Sequence, residues 1–229
     1  LASKDSKVKT AAIWSAGKIG QESSVAKLIP VLKTANEDEI AAVKSSLLTI
    51  KGASLVDQVA TAIPAVPAPA QSALIDVLAA RAASSKLPVV TAQLKSTNPE
   101  VRKSAFNALK ALATGNDLPQ LYTLLNTVSA ADEVSATQSA INAAVKESGD
   151  VNSQTDAVLK QMQAAPADKQ GNYLAVLAGI GGKKALKSVV EAYGSGDAAK
   201  KKSAIAALSA WSDASAAKEL LTIAGTTGD

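Results

Sequence analysis

The chain has 229 residues, 47% apolar and 19% charged, with a net charge of +4, so it can bury a sizeable core and is not a disordered polyelectrolyte. Aromatic residues reach only 3% against 48 alanines, a composition that suits closely packed helices better than a sandwich or a parallel sheet. The absence of His and Cys excludes the usual zinc, haem and iron–sulfur ligands, the Ser–His and Cys–His dyads and every disulfide, so no cofactor and no metal is expected.

In chain order, the first predicted pair of helices carries Val8, Ala12, Ile13 and Ile19, then Val25, Leu28, Ile29 and Leu32. Two further pairs centre on Leu47 and Ile75. The fourth has the sharpest start signal. Asn98 can cap, Pro99 takes the first helical position and Glu100 complements the dipole. Val101, Ala105, Ala108, Leu109 and Leu112 then fall on one face, and after the break at Thr114–Asp117 a second stripe holds Leu118, Leu121, Leu124 and Leu125. A fifth pair centres on Ile141. The sixth runs from Leu174, Leu177 and Ile180 to Leu186, Val189, Val190 and Tyr193. The seventh runs from Ala204, Ile205, Leu208 and Trp211 to Ala217, Leu220, Leu221 and Ile223.

With Phe106 as reference, the equivalent positions are Ile13, Leu47, Ile75, Ile141, Leu174 and Ile205, at steps of 34, 28, 31, 35, 33 and 31 residues. Those are helical-pair repeat lengths. Breaks recur at two levels. Asn98-Pro99 and Gly194-Ser195-Gly196-Asp197 fall between units, while Gly20, Gly52, Gly115, Gly149, Gly181-Gly182 and Ser212-Asp213 fall within them. The expectation is an all-α, right-handed α-α superhelix of about seven helix pairs, forming a single solenoid domain over residues 1–229. The chain starts at Leu1 without a basic-then-apolar leader, and an apolar run, Leu220–Ile223, stands close to Asp229. A segment of a longer gene product is therefore expected.

The fourth unit resembles the HEAT-repeat family, particularly its short bacterial form, through Asn98, Pro99, Val101, Arg102, Ala105, Ala108, Leu109 and Leu112. The first unit keeps Val8, Lys9 and Ala12, and the last keeps Asp197, Lys201, Ala204, Ala207 and Leu208. The resemblance implies stacked helix pairs whose second helices line a concave, partner-binding face. It implies no reaction.

Candidate sites are few. Glu37-Asp38-Glu39 and Asp132-Glu133 read as dipole complements at helix starts rather than catalytic carboxylates. Gly179-Ile180-Gly181-Gly182-Lys183-Lys184 has the wrong spacing for a phosphate loop and reads as a turn. Lys200-Lys201-Lys202 with Lys183, Lys184 and Lys187 could form a basic stripe, as in HEAT-like DNA glycosylases. Only two of the 24 basic residues are arginine, however, and Trp14 and Trp211 fall on core stripes. Gln58, Gln93, Tyr122, Asn126, Lys160 and Glu191 are candidates for a polar partner-binding face, with Tyr122 off the Leu118–Leu121–Leu125 line.

The function expected is a non-catalytic protein-interaction, scaffold or spacer module of a larger exported bacterial protein. Its partner would be a protein or an adjoining domain of the same polypeptide. The alternatives are an accessory domain of a carbohydrate-processing enzyme and a DNA-binding repeat protein. A bias to Lys over Arg, a single Met and the absence of Cys point to a periplasmic or secreted location, with the cytoplasm as the alternative. No apolar run approaches the roughly 18 residues of a membrane span.

Overall fold

Asp5 opens the first helix by accepting hydrogen bonds from the Lys7 and Val8 amides, and Gly20 closes it in the left-handed conformation at φ 71°. The computed structural model describes residues 3, 5–147, 149–211 and 213–226; Ser212, named above as a break, lies outside them. Among the described residues there are fourteen α-helices and no strand. The first seven are α1 (Ser6–Ile19), α2 (Val25–Leu28), α3 (Glu37–Thr49), α4 (Leu55–Ala62), α5 (Ala68–Ala80), α6 (Leu87–Ala92) and α7 (Pro99–Leu112). The second seven are α8 (Leu118–Thr127), α9 (Ala131–Val145), α10 (Val151–Ala164), α11 (Asn172–Ile180), α12 (Gly182–Tyr193), α13 (Ala198–Ser209) and α14 (Ala217–Thr226). The long axis of α2 is extended by the 3₁₀ turn Ile29–Lys33, and short 3₁₀ turns introduce or extend most other even-numbered helices. No described helix is long and apolar enough to cross a membrane.

The chain forms two compact units, Leu1–Leu112 and Ala113–Asp229. In the first, α1, α3, α5 and α7 stack in sequence, and α4 and α6 lie against the odd helices that follow them. In the second, α9, α11 and α13 stack likewise, with α8, α10 and α12 each against the next odd helix. Each unit is thus an α-solenoid of two helix layers, with its apolar core between them. Ile13, Leu47, Ile75, Phe106, Ile141 and Leu174 are all buried, as their shared register requires.

Polar ties confirm the period independently. Ser46 Oγ donates to the Ile13 carbonyl at 3.0 Å, 33 residues away. The Ser54 amide donates to Glu22 Oε1 at 2.7 Å (32 residues), Lys44 pairs with Asp76 at 2.5 Å (32 residues) and Gln138 Nε2 donates to the Asn172 carbonyl at 2.7 Å (34 residues). Arg81 Nε and Nη2 both donate to the Leu47 carbonyl, at 3.1 and 2.5 Å, and Nη2 also reaches the Ile50 carbonyl. Its guanidinium therefore caps the end of α3 from the end of α5, placing a cation at the negative pole of that helix.

Five stripe positions depart from expectation. Ile205 is 39% exposed, and Ala204, Ala207 and Leu208 fill the core in its place. Trp14 is 44% exposed rather than packed inside, because the neighbouring Ile13 takes the core position and Trp14 lies roughly 100° round the helix. Trp211 follows the end of α13 and is only half-buried. Val8 and Ile19 of the first stripe are likewise exposed.

Candidate functional site

The step from Ile13 to Trp14 repeats along the odd layer of the first unit. Leu47 is buried and Leu48 is 40% exposed; Ile75 is buried beside half-exposed Asp76; Phe106 is buried beside exposed Asn107. One register position therefore makes an outward column that starts with two large apolar side chains and continues with polar ones. Beside Trp14, a groove of about 510 Å³ runs between α1 and α3, lined by Lys7, Thr10 and Trp14 on one side and Asp38 and Ala41 on the other.

The groove is held by the capping of α3. Asn36 Oδ1 accepts from the Glu39 amide at 2.9 Å, and Glu39 Oε2 accepts from the Asn36 amide at 3.3 Å, a capping box. Glu39 also accepts from Ser6 Oγ and Lys9 Nζ, both at 3.1 Å, which fixes α1 against the start of α3. Burial alone would raise the Glu39 pKa, but the hydrogen bonds from Lys9, Ser6 and the Asn36 amide outweigh it and the carboxyl sits below its ordinary value. The acidic run Glu37–Glu39 thus acts at a helix start, as expected, and leaves Asp38 free to face the groove. The groove thus presents a large ring, a carboxylate, an ammonium and a hydroxyl on one open face.

Of the six residues expected on a partner-binding face, Tyr122 is buried and the other five are exposed or half-buried. Tyr122 is 6% exposed; it stacks on Tyr173 at 6.1 Å between ring centroids, and burial, with the neighbouring Tyr173, pushes its phenol up to about 12. Asn126 joins the same cluster, accepting from the Tyr173 hydroxyl at 2.9 Å. Gln58 lies in a groove between α2 and α4 and donates to Ser54 Oγ at 2.9 Å. Gln93 is half-buried in the turn after α6. Lys160 is exposed on α10, and Glu191, paired with Lys187 at 3.8 Å, lines a cavity of about 350 Å³ between α10 and α12. All six come from the even-numbered helices or the turns that extend them.

The basic clusters are partly engaged within the chain. Lys184 pairs with Asp156, and Lys201 sits over the Tyr193 ring at 4.8 Å. Gly181 and Gly182, both at positive φ, make the turn between α11 and α12.

The HEAT-repeat family model matches residues 87–115, and no curated protein matches the chain. Residues 87–115 are thus similar to a HEAT repeat, which suggests a protein-interaction or scaffold role. The matched segment contains α6 and α7, so α6 is its first helix and α7 its second. The pairing expected from the sequence joined α7 to α8. Over that segment the pairing differs from the expected one by a helix, and α7 is the second helix of its pair rather than the first. Trp14 and Leu48 were not among the expected partner-binding candidates; each immediately follows a register residue that fills the core.

Proposed function

We propose that this chain is a protein-interaction scaffold, without catalytic activity of its own, that receives its partner on the odd-helix face of its first unit, with Trp14 as the anchor. The partner is a protein, or an adjoining domain of the same polypeptide, that inserts a side chain into the groove between α1 and α3. The observation that carries this reading is the half-exposed Trp14 at the groove edge. Tryptophan is among the residues that dominate interface energetics when a partner covers them. Support also comes from the frame of the matched repeat, because the family resemblance implies that second helices face partners, and α1 and α3 stack in the same layer as α7, the second helix of that repeat. The module belongs to an exported bacterial protein in this reading, on the compositional grounds given above.

The test is photo-crosslinking from a reactive amino acid placed at position 14, and separately at position 160, in cells making the natural protein. Crosslinks to one defined protein from position 14, lost on Leu48→Asp, support the proposal. Crosslinks confined to position 160 overturn it.

A further inference from the structure

The cavity of about 350 Å³ beside Glu191 lies inside the second unit, where α9 packs on α11 and α14 packs on α13. Ser188 and Ala192, one turn apart on α12, have short side chains and leave space in front of Leu159 and Met162 of α10. Leu174 of α11 is buried and also lines the cavity, which gives it an apolar base. The Ser188 and Ser195 hydroxyls at its edge donate to nearby carbonyls, Lys184 at 3.1 Å and Ala192 at 2.8 Å. The charged residues of the lining are Glu191 and Lys200.

Both charges stand where helix electrostatics disfavour them. Glu191 is in the last turn of α12, at the negative pole of that helix, and Lys200 is in the first turn of α13, at the positive pole. They do not compensate one another: among the described residues no ion pair joins Glu191 to Lys200, and Lys200 has no charged partner. Lys187 approaches Glu191 to 3.8 Å, but both side chains are largely exposed, and Lys before Glu is the weaker order at this spacing. An acid and a base that share one apolar-based cavity, each opposed to its own helix dipole, break local rules in the way binding sites do.

We propose that this cavity binds a small apolar zwitterion, a free α-amino acid with a branched aliphatic side chain. The ligand ammonium meets Glu191, its carboxylate meets Lys200, and its side chain covers Leu159, Met162 and Leu174. The volume stands at the small end of the roughly 300–1,000 Å³ of ligand pockets, which suits a molecule of this size and not a cofactor. A zwitterion satisfies both opposed charges at once. A simple carboxylate would leave Glu191 beside an anion, and a simple amine would leave Lys200 beside a cation. One covered side chain and two water-screened charges give a weak affinity, about 0.5–5 mM. The site belongs to the second unit and does not depend on the partner proposed for the Trp14 groove of the first.

Met162 is the single methionine of the chain, so an isotopically labelled methionine methyl gives one NMR signal at the cavity wall. Titrating the whole 229-residue chain with L-leucine at fixed ionic strength is expected to move that signal saturably, with a Kd of about 0.5–5 mM. Isocaproate and isoamylamine, which keep the carbon skeleton and lack one charge each, bind about threefold or more weakly. Glu191→Gln and Lys200→Met each weaken leucine binding by a similar factor. Both variants keep or raise the melting temperature, since each removes a charge opposed to its helix dipole. No saturable movement up to about 20 mM leucine overturns the proposal, as does either single-charge analogue binding as well as leucine. Leucine binding unchanged in the two variants overturns it too, and a fall in melting temperature in both would assign these charges to folding instead.

Discussion

Gly17 of α1 lies against Ser46 of α3 so closely that a β-carbon on Gly17 would stand 2.5 Å from Ser46 Oγ and 2.7 Å from Ser46 Cβ. Two stacked helices meet there almost backbone to backbone, and the Ser46 hydroxyl uses the proximity to reach the Ile13 carbonyl. Small residues at such crossings let an alanine-rich chain pack densely with few aromatic rings.

Gly17→Ala is expected to destabilise the first unit by about 1–3 kcal/mol, because the added carbon must push the helices apart. Ser46→Gly in the same chain recovers part of the loss by removing the two nearest atoms. Urea unfolding of the single and double variants measures the coupling; purely additive losses would contradict direct contact.

Arg81→Ala is expected to cost about 2–3 kcal/mol, since it strips a charged donor from the half-buried carbonyls of Leu47 and Ile50. Arg81→Lys recovers only part of this, because an ammonium cannot reproduce the planar fork. Hydrogen exchange of the amides near the end of α3 should accelerate in both variants.

Tyr122→Phe is expected to leave stability unchanged or raise it by up to about 1 kcal/mol. The Tyr122 hydroxyl is buried without a hydrogen-bond partner among the described residues, while the ring that stacks on Tyr173 is retained. Thermal unfolding provides the measurement, and a clear fall in Tm would show that the hydroxyl is satisfied in solution.

Acid should weaken the first unit through Glu39. Its folded pKa is lowered, so the stabilisation is fully present above the unfolded carboxyl value of about 4.3 and is lost as pH falls through the folded value. Urea midpoints measured from pH 7 to pH 3 should decline less steeply in Glu39→Gln, which starts from a lower midpoint at pH 7.

Trp14→Ala should cost about 1 kcal/mol, against about 2–5 kcal/mol for Ile13→Ala one residue earlier. The half-exposed ring contributes little to folding, whereas Ile13 is fully buried. Similar losses in urea unfolding would place Trp14 in the core after all.

Helix positions and repeat length were legible because a buried residue every thirty-odd positions is a strong periodic signal, and six of the seven register residues are in the core. The exception, Ile205, shows the limit. Where Ala204 and Ala207 pack at close range, alanine serves as a core residue, and an isoleucine beside them no longer marks the inward face. The pairing frame was ambiguous for a different reason. A tandem array has turns after every helix, and glycine or Asn-Pro breaks terminate odd and even helices with similar force. Proline at the helix start does not separate the classes either, since it occurs in α5 (Pro69) and α7 (Pro99) as well as in α6 (Pro88) and α8 (Pro119). Tyr122 was misplaced on the surface because a tyrosine off a leucine line looks amphipathic until Tyr173 arrives from α11 to cover it.

The ties that span one period have a kinetic consequence. Ser46 with Ile13, Glu22 with Ser54 and Arg81 with Leu47 each close a loop of little more than thirty residues, so a native contact is available as soon as the next hairpin leaves the ribosome. Low contact order of this kind favours rapid folding that nucleates at several places and spreads to neighbours. Under tension the same short-range wiring would yield stepwise, one layer at a time, and re-form just as locally when the load is released.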